Sequence, residues 1–219
     1  MIRPLLVVAT GLMLVGAAWA LLVAPEEAFQ GVPQRIMYIH VPSVITAYAA
    51  LAVVFVGSVL FLWRRDARWD HLAHAAAELA VLFISMTLIS GAIWGKPVWG
   101  TWWTWDARLT TTLILWFIYV GYLIVRAWAP GSRGARTAAV IGIVGVLDVP
   151  LIHWSAILLR TLHPQPTVLR PEGPALPASM LVPLVVNLAA YLLMFVALLA
   201  IRVRQERTLT ALVDALEGA

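Results

Sequence analysis

Histidine and tryptophan are the residues of this sequence whose types and positions could bind a ligand. His40 lies in the stretch RIMYIHVPS and His153 in DVPLIHWSA. A neutral imidazole is a common ligand of transition metals. Pro42 suits the first turn of a helix, so we expect His40 near a helix N-terminus, where the positive end of the helix dipole favours the neutral ring.

Tryptophan is concentrated in one segment, WGKPVWGTWWTWDARLT at 94–110. Five of the eleven tryptophans lie within it, at Trp94, Trp99, Trp102, Trp103 and Trp105. Anchoring at a membrane surface needs fewer tryptophans than this at one place. The spacing of Trp99, Trp102 and Trp103 predicts a short interfacial helix with these rings on one face, which would form a platform for a planar aromatic ligand.

The composition places these side chains in a membrane protein. The chain has 219 residues, of which 62% are hydrophobic and only 12% are charged, and its mean hydropathy is +0.90. A soluble domain carries about 25% charged residues. There is no cysteine, which excludes disulfides, thiolate metal sites and covalent thioether attachment of a haem to this chain.

Six apolar segments are long enough to cross a bilayer, which takes about 20 residues of helix. They are 5–23, 42–63, 78–94, 109–128, 137–157 and 180–201. The sequence therefore predicts an all-α integral membrane protein with six transmembrane helices that form a single domain over residues 1–219.

The distribution of basic residues predicts which side of the membrane each loop faces. Ten of the fifteen Lys and Arg residues flank the spans on one side, and five lie on the other. By the positive-inside rule, both termini are cytoplasmic and the tryptophan-rich loop between the third and fourth spans is periplasmic. His40, His153 and the last loop, which contains His163, lie on that periplasmic side. His71 and His74 are predicted to lie in a cytoplasmic loop.

The residues on the periplasmic side favour haem as the ligand. Two imidazoles without cysteine or a carboxylate cluster suit haem iron better than a closed zinc site. The haem propionates would pair with basic side chains on the same side, for which the candidates are Arg35, Lys96, Arg108 and Arg160. Asp106 is expected to cap the fourth span or to form a local salt bridge, rather than to act in catalysis.

Three other features have simpler interpretations. GAIWGKP at 91–97 is similar to a phosphate-binding loop, but it has too few residues between its glycines and no hydroxyl after Lys96, so this chain supplies no ATPase. Gly91 and Gly95 are expected to permit close helix packing. Asp148 and Asn187 are expected to face the bundle or a cavity, as polar groups within spans do. The basic excess is a topology signal and does not indicate nucleic-acid binding.

WGKPVWGTWWTWDARLT resembles the tryptophan-rich signature of the haem-handling membrane proteins of cytochrome c maturation. Together with RIMYIHVPS and the six-span plan, nearly the whole chain resembles the cytochrome c maturation protein C family, also called haem exporter protein C. The resemblance implies that the two family histidines correspond to His40 and His153. It also implies that Trp94 through Asp106 correspond to the tryptophan signature.

The resemblance implies a haem carrier rather than an enzyme. Members of the family hold haem at the periplasmic face of the bacterial inner membrane and load it onto a membrane-anchored periplasmic haem chaperone. They act with an ABC transporter, whose ATPase and membrane subunits are separate chains, and with a small single-span membrane partner. We therefore expect non-covalent, transient binding of haem b, with His40 and His153 as axial ligands and the tryptophans covering the porphyrin.

Two other functions fit the sequence. A membrane cytochrome b would pass electrons to quinone, but such a protein usually carries histidine pairs at different depths within its spans. A scaffold would recruit the chaperone while another subunit holds haem. Its tryptophan loop would be required for complex formation, and its histidines would be dispensable.

Overall fold

The computed structural model describes residues 2–129, 131–159, 161–163 and 173–217, and it assigns these residues no β-strand. The α-helices in them are α1 (Ile2–Ala18), α2 (Met37–Arg64), α3 (Ala67–Trp99), α4 (Ala107–Trp128), α5 (Gly131–Val146), α6 (Asp148–Leu158) and α7 (Ala178–Glu217). A π-helical turn, Trp19–Val23, extends α1, and a 3-10 turn, Val32–Ile36, precedes α2. Six helical stretches are long and apolar enough to cross a membrane, with α5 and α6 together forming the fifth. The prediction of a six-span all-α protein is confirmed.

α2 and α3 form a helical hairpin against which other spans pack. Arg65 ends α2 in the left-handed conformation (φ 54°), and the Asp66 side chain caps α3 by accepting a hydrogen bond from the backbone N–H of Arg68 at 3.0 Å. A Cβ at Gly57 would lie 3.1 Å from the methyl carbon of Ala73. The small residues therefore let the two helices approach closely, which is how membrane helices gain packing energy.

Aromatic residues fill the centre of the bundle. Tyr119 and Tyr122 of α4 are completely buried, and the Tyr119 hydroxyl donates to the carbonyl of Gly142 in α5 at 2.8 Å. Phe83 of α3 packs against Tyr191 of α7 with 6.2 Å between ring centroids. This core joins α2, α3, α4, α5 and α7, so it fixes the relative positions of their ends.

Asn187 is a buried polar residue that joins the first and last spans. Its side-chain amide donates to the carbonyl of Gly16 in α1 at 3.0 Å and to that of Pro183 in α7 at 2.8 Å. A Cβ at position 16 would lie 2.7 Å from the amide oxygen of Asn187, so only glycine leaves room for this contact. The expectation that Asn187 faces the bundle is confirmed.

The fifth span is two helices and not the single helix predicted for 137–157. α5 ends at Val146 and α6 begins at Asp148. Pro150 has no backbone N–H, so it cannot donate to the carbonyl of Val146, and the helical hydrogen-bond ladder is interrupted there. Asp148 is buried, as expected, and its Oδ2 has no hydrogen-bond partner among the described residues.

The third span begins at Ala67, well before the predicted start at 78, and this moves two histidines. The prediction that His71 and His74 lie in a loop is wrong, because both are in the first turns of α3. His71 Nε2 lies 3.1 Å from Thr210 Oγ1, and His74 Nδ1 lies 3.0 Å from Glu206 Oε2. Polar residues before position 78 suggested a loop, but α7 extends past the predicted span and supplies their partners.

Charged side chains of α3, α4 and α7 meet at this end of the bundle. Asp70 pairs with Arg126 at 3.0 Å. Glu78 accepts two hydrogen bonds from Arg202, each at 2.6 Å. We call this region the charged end, and it comprises Asp70, His74, Glu78, Arg126, Arg202 and Glu206.

The opposite end of the bundle holds most of the predicted site, and we call it the aromatic end. It comprises the segment 24–36, the first turn of α2, the last two turns of α3, the segment 100–106, the start of α4 and residues 161–163. Side-chain contacts described below join all of these parts, so the long spans of the core bring together segments that are distant in sequence.

Candidate functional site

His40 lies in the first turn of α2, close to the helix N-terminus as predicted, but α2 begins at Met37, so Pro42 is inside the helix and not in its first turn as expected. Its Nδ1 lies 3.0 Å from Ser90 Oγ of α3. The ring also meets Trp94 edge-on, with 5.8 Å between centroids. A Cβ at Gly91 would lie 3.1 Å from His40 Cε1. The expected role of Gly91 in close helix packing is confirmed, because the missing side chain leaves the space that the imidazole occupies.

Trp94 ties the segment after the first span to α3. Its indole Nε1–H donates to Gln30 Oε1 at 2.8 Å. Gln30 lies in a turn organised by Glu27, whose carboxylate accepts from the backbone N–H groups of Phe29 and Gln30 at 2.9 and 2.7 Å. Gly31 completes the turn with a φ of 60°. Trp94 therefore supports the fold of this end as well as the surroundings of His40.

Two of the predicted propionate partners, Arg35 and Lys96, donate hydrogen bonds to backbone carbonyls. Arg35 donates to the carbonyls of Leu21 and Ala24 at the end of the first span, where helical carbonyls lack partners. Lys96 Nζ donates to the carbonyl of Gly100 at 3.0 Å and is exposed. Neither cation has a carboxylate partner among the described residues, and pairing of either with a propionate stays a prediction.

The predicted short helix with Trp99, Trp102 and Trp103 on one face is wrong. α3 continues to Trp99 and ends at Gly100, whose φ is 77°. A left-handed glycine at the end of a helix turns the chain sharply, and residues 100–106 are not helical. The tryptophans on either side of Gly100 consequently share no helix face.

Gly95 accommodates this turn, and its expected role in packing against a neighbouring helix stays a prediction. A Cβ at Gly95 would lie 3.0 Å from the ring of Trp99 and 3.4 Å from the carbonyl oxygen of Thr101. The glycine therefore allows the Trp99 ring and the returning chain to lie directly against α3.

The tryptophans of this segment divide into sheltered and exposed members. Trp94, Trp99 and Trp103 are half-buried, whereas Trp102 and Trp105 are 57% and 76% exposed. Trp103 and Trp105 meet edge-on, with 5.7 Å between centroids. Exposed aromatic surface of this size is suited to a planar ligand or to a partner protein.

Asp106 fixes the start of α4 and the last part of the aromatic end. Its Oδ1 accepts from the backbone N–H of Leu109 at 3.0 Å, which is a helix cap. Its Oδ2 accepts from the Thr161 hydroxyl at 2.9 Å. Capping, the first of the two predicted roles of Asp106, is confirmed.

His163 is joined to the site by Arg108. Arg108 Nη1 donates to His163 Nδ1 at 3.0 Å, and the His163 ring lies 6.5 Å from that of Trp99. Arg108 and His163 are both close enough to His40 to act on it electrostatically. His163 is a site residue that the sequence did not reveal, although its position on the same predicted side as His40 is a signal that could have identified it.

His153 lies apart from this cluster, on an exposed face of α6. The buried residues Asp148, Ile152 and Ser155 mark the face of α6 that packs on the bundle. With about 100° of rotation per residue, His153 lies on the other side of the helix. Its pairing with His40 stays a prediction, and the geometry of α6 does not favour it. Arg160 lies outside the described residues.

The aromatic end has the side chains that a planar, anionic metal complex needs. His40 offers an imidazole, the tryptophans offer flat apolar surface, and Arg108 offers a guanidinium for a carboxylate. Buried polar atoms of this end also lack hydrogen-bond partners among the described residues, namely Trp103 Nε1, Thr104 Oγ1 and Thr110 Oγ1. Such orphan groups are uncommon in folded proteins. The residues present fit a haem with its two propionates.

Comparison with known proteins points to one family. A family model described as Heme exporter protein C matches residues 1–214. The chain is 40% identical over 197 residues to "Heme exporter protein C" of Haemophilus influenzae, which covers 88% of this chain and 78% of that protein. It is 38% identical over 206 residues to the protein of the same name from Bradyrhizobium diazoefficiens, covering 94% and 78%. The Escherichia coli K12 protein of that name is 40% identical over 167 residues, covering 73% and 66%.

Proposed function

The chain belongs to the Heme exporter protein C family, and from this premise we propose that it binds haem b at the aromatic end and delivers it to a periplasmic haem chaperone. Membership of the family and six helices able to span a membrane make it a multi-pass membrane protein that handles haem in cytochrome c maturation. The observation that carries the proposal is the position of His40, packed against Trp94 with Arg108 and His163 nearby.

The aromatic end faces the periplasm in this proposal. The protein lies in the bacterial inner membrane with both termini in the cytoplasm, as the excess of basic residues on the opposite side indicates. Haem bound at the aromatic end is then presented directly to a chaperone that acts in the periplasm.

His40 is the first axial ligand in the proposed site. Bound haem would supply an iron that takes imidazole ligands and two propionate carboxylates. His40 would ligate the iron, and the half-buried ring of Trp94 beside it would keep water from the imidazole. Arg108, at the start of α4, binds a propionate through its guanidinium.

Two histidines compete for the second axial position. The family resemblance of the sequence predicts His153, but His163 is the one that contacts Trp99 and Arg108, and we favour it. A guanidinium has donors and no acceptor, so in its contact with Arg108 the Nδ1 of His163 must accept. Movement of Arg108 toward a propionate would break its hydrogen bond with His163, so binding of the anionic cargo and ligation by this imidazole would be linked.

Release of the cargo follows from the same arrangement. Without cysteine, this chain binds haem only non-covalently, and the protein acts as a carrier rather than as an enzyme. The exposed Trp102 and Trp105 form the surface that the membrane-anchored chaperone meets as it displaces an axial histidine. The ATPase and membrane subunits of an ABC transporter and a small single-span membrane protein complete the assembly.

Absorption spectroscopy of three alanine variants tests the proposal. The wild-type protein and the variants His40→Ala, His163→Ala and His153→Ala are purified in detergent and titrated with haem. We expect the Soret band of the wild type to weaken and shift in His40→Ala and in His163→Ala, and to be unchanged in His153→Ala. Equal Soret bands in all four proteins would show that the axial assignment is wrong.

The remaining outcomes discriminate between the two histidines and between carrier and scaffold. Loss of the band in His153→Ala, with His163→Ala unchanged, would restore the pairing predicted from the sequence. Unchanged haem binding in Trp102→Ala, together with lost loading of the chaperone, is expected if this tryptophan meets the partner. Loss of loading in Trp102→Ala while every histidine variant still loads the chaperone would favour the scaffold.

A further inference from the structure

Ser90 is a buried hydroxyl that contacts His40 from the neighbouring helix. Its Oγ lies 2.6 Å from the carbonyl oxygen of Met86 and 3.3 Å from that of Thr87, both in α3. The same oxygen lies 3.0 Å from Nδ1 of His40 in α2. Ser90 therefore has three neighbours for one hydroxyl group, and their chemistry decides how its single proton is used.

The Ser90 hydroxyl donates its proton to a carbonyl of its own helix. A backbone carbonyl can only accept, so the short contact with Met86 requires Ser90 to donate there. With that proton used, Ser90 Oγ can only accept from the imidazole. His40 must then carry its proton on Nδ1, and the lone pair of the neutral ring is left on Nε2.

Ser85 of α3 is hydrogen-bonded in the same way as Ser90, and its ring partner, Trp116, has a nitrogen that can only donate. Ser85 Oγ donates to the carbonyl of Val81 at 2.7 Å and accepts from the indole Nε1–H of Trp116 at 2.8 Å. An indole nitrogen can only donate. The Ser85 pair shows that a serine in this helix donates its hydroxyl proton to the carbonyl four residues before it and accepts from a ring nitrogen.

The surroundings of His40 hold the ring in the orientation that the hydrogen bond needs. A Cβ at position 91 would lie 3.1 Å from Cε1 and 3.6 Å from Nδ1, so any side chain there would displace the edge of the ring that faces Ser90. Trp94 packs edge-on against the ring one turn further along α3. Because Nδ1 is turned toward α3, Nε2 is left on the part of the ring away from Ser90.

We propose that Ser90 is the positioning residue of this site: it fixes His40 in the tautomer protonated at Nδ1 and so makes Nε2 the atom that ligates iron. Metal-bound histidines generally donate their second ring N–H to a partner that sets the tautomer and the ring orientation. The ligation half of this inference rests on the proposed function, whereas the tautomer is a property of the protein without haem.

The tautomer is measured by NMR on the haem-free, full-length protein labelled with 15N-histidine in lipid bilayers. A spectrum of His40→Gln identifies the His40 signals. We expect Nδ1 to be protonated and Nε2 to be unprotonated in the wild type. Ser90→Ala removes the hydroxyl acceptor and leaves the Thr87 backbone as the other group bonded to the ring, so it should raise the share of the tautomer protonated at Nε2 and give a mixture. Ser90→Thr keeps a hydroxyl and should retain the wild-type state.

Ser85→Ala is the matched control, because it removes the equivalent hydroxyl next to Trp116 and leaves Ser90 in place. It should leave the His40 signals unchanged. A wild type protonated at Nε2, or a Ser90→Ala spectrum identical to that of the wild type, would overturn the inference whatever the protein does with haem.

Haem titration of the same variants tests the ligation half. Loss of such a partner typically weakens metal binding about 10-fold or more, so Ser90→Ala should bind haem about 10-fold more weakly than the wild type, with a changed iron–histidine stretching frequency in the resonance Raman spectrum. Ser90→Thr and Ser85→Ala should bind as the wild type does.

The NMR spectrum and the haem titration test separate claims, so either claim can be contradicted without the other. A wild type that binds no haem would contradict the proposed function and leave the tautomer result standing. Normal haem affinity and an unchanged Raman spectrum in Ser90→Ala, despite a mixed tautomer, would show that Ser90 does not position the ligand.

Discussion

The charged end and the aromatic end of the bundle differ in the partners of their charged side chains. At the charged end, carboxylates and cations from three helices pair with one another, as Asp70 does with Arg126 and Glu78 with Arg202. At the aromatic end, Arg35 and Lys96 bond to backbone carbonyls, and Arg108 bonds to a histidine. The charged end is therefore closed, whereas the aromatic end retains cations and aromatic surface for a ligand.

Substitution of Asp70 by Asn should have the largest effect on stability. The side chains of Asp70 and Arg126 are only 12% and 16% exposed. Removal of the carboxylate leaves a sheltered guanidinium without its partner, which costs about 2–3 kcal/mol of unfolding free energy. The measurement is SDS-induced unfolding of the purified protein. Haem titration is the matching readout and should be unchanged, since the two ends are separate; a loss of haem binding at equal folded population would contradict the comparison.

Substitution of Arg202 by Met should cost about 1–2 kcal/mol, because its pair with Glu78 is more exposed than that of Asp70. The double variant Glu78→Gln with Arg202→Met removes both charges and should recover part of this loss. A double-mutant cycle on unfolding free energies measures the coupling. Additive losses would mean that the pair contributes nothing to the closed end.

Removal of a helix cap at each end should have the same effect on stability but different effects on haem binding. Asp106 caps α4 at the aromatic end, and Asp66 caps α3 at the other. Substitution of either by Ala should cost about 1 kcal/mol of unfolding free energy. Only Asp106→Ala should also weaken haem binding, because its carboxylate holds Thr161 and with it the loop of His163. Equal haem affinity in the two variants would refute that link.

The exposed tryptophans should have the smallest effect on stability. Trp102→Ala and Trp105→Ala should change the unfolding free energy by less than about 0.5 kcal/mol, since exposed side chains lose little on truncation. Loading of haem onto the chaperone should nevertheless fall in both. Trp63→Ala, which removes an equally exposed tryptophan from the far end of α2, is the control and should change neither quantity. Loading equal to that of the wild type in Trp102→Ala and Trp105→Ala would contradict their assignment to the transfer surface.

The sequence was most informative where one dominant physical rule applies. Hydropathy predicts the six spans because lipid requires long apolar helices, and the order Asp–Ala–Arg at 106–108 follows a capping preference that is local in sequence. His40 was correctly predicted near a helix N-terminus, but the first-turn preference of proline does not explain it, because α2 begins five residues before Pro42.

Features that depend on contacts between distant residues were not predictable in this way. The helical position of His71 and His74 depends on Thr210 and Glu206, which are far along the chain. His163, outside the spans, contacts Arg108 in α4, which is far from it in sequence. The i, i+3, i+4 spacing of the tryptophans predicted a helix that Gly100 prevents, because a local pattern cannot reveal where a left-handed residue ends the preceding helix.

The turn at Gly100 has a consequence for the kinetics of the proposed carrier. The segment 100–106 is held at its start by the hydrogen bond from the Gly100 N–H to the Lys96 carbonyl and at its end by the Asp106 cap. Ordering a residue costs about 1–2 kcal/mol of conformational entropy, and here that loss occurs when the chain folds rather than when cargo arrives. A site ordered in advance can capture its ligand without waiting for a loop to close. In the proposed carrier, the lifetime of the bound state would then be set by the contacts that the receiving protein must break.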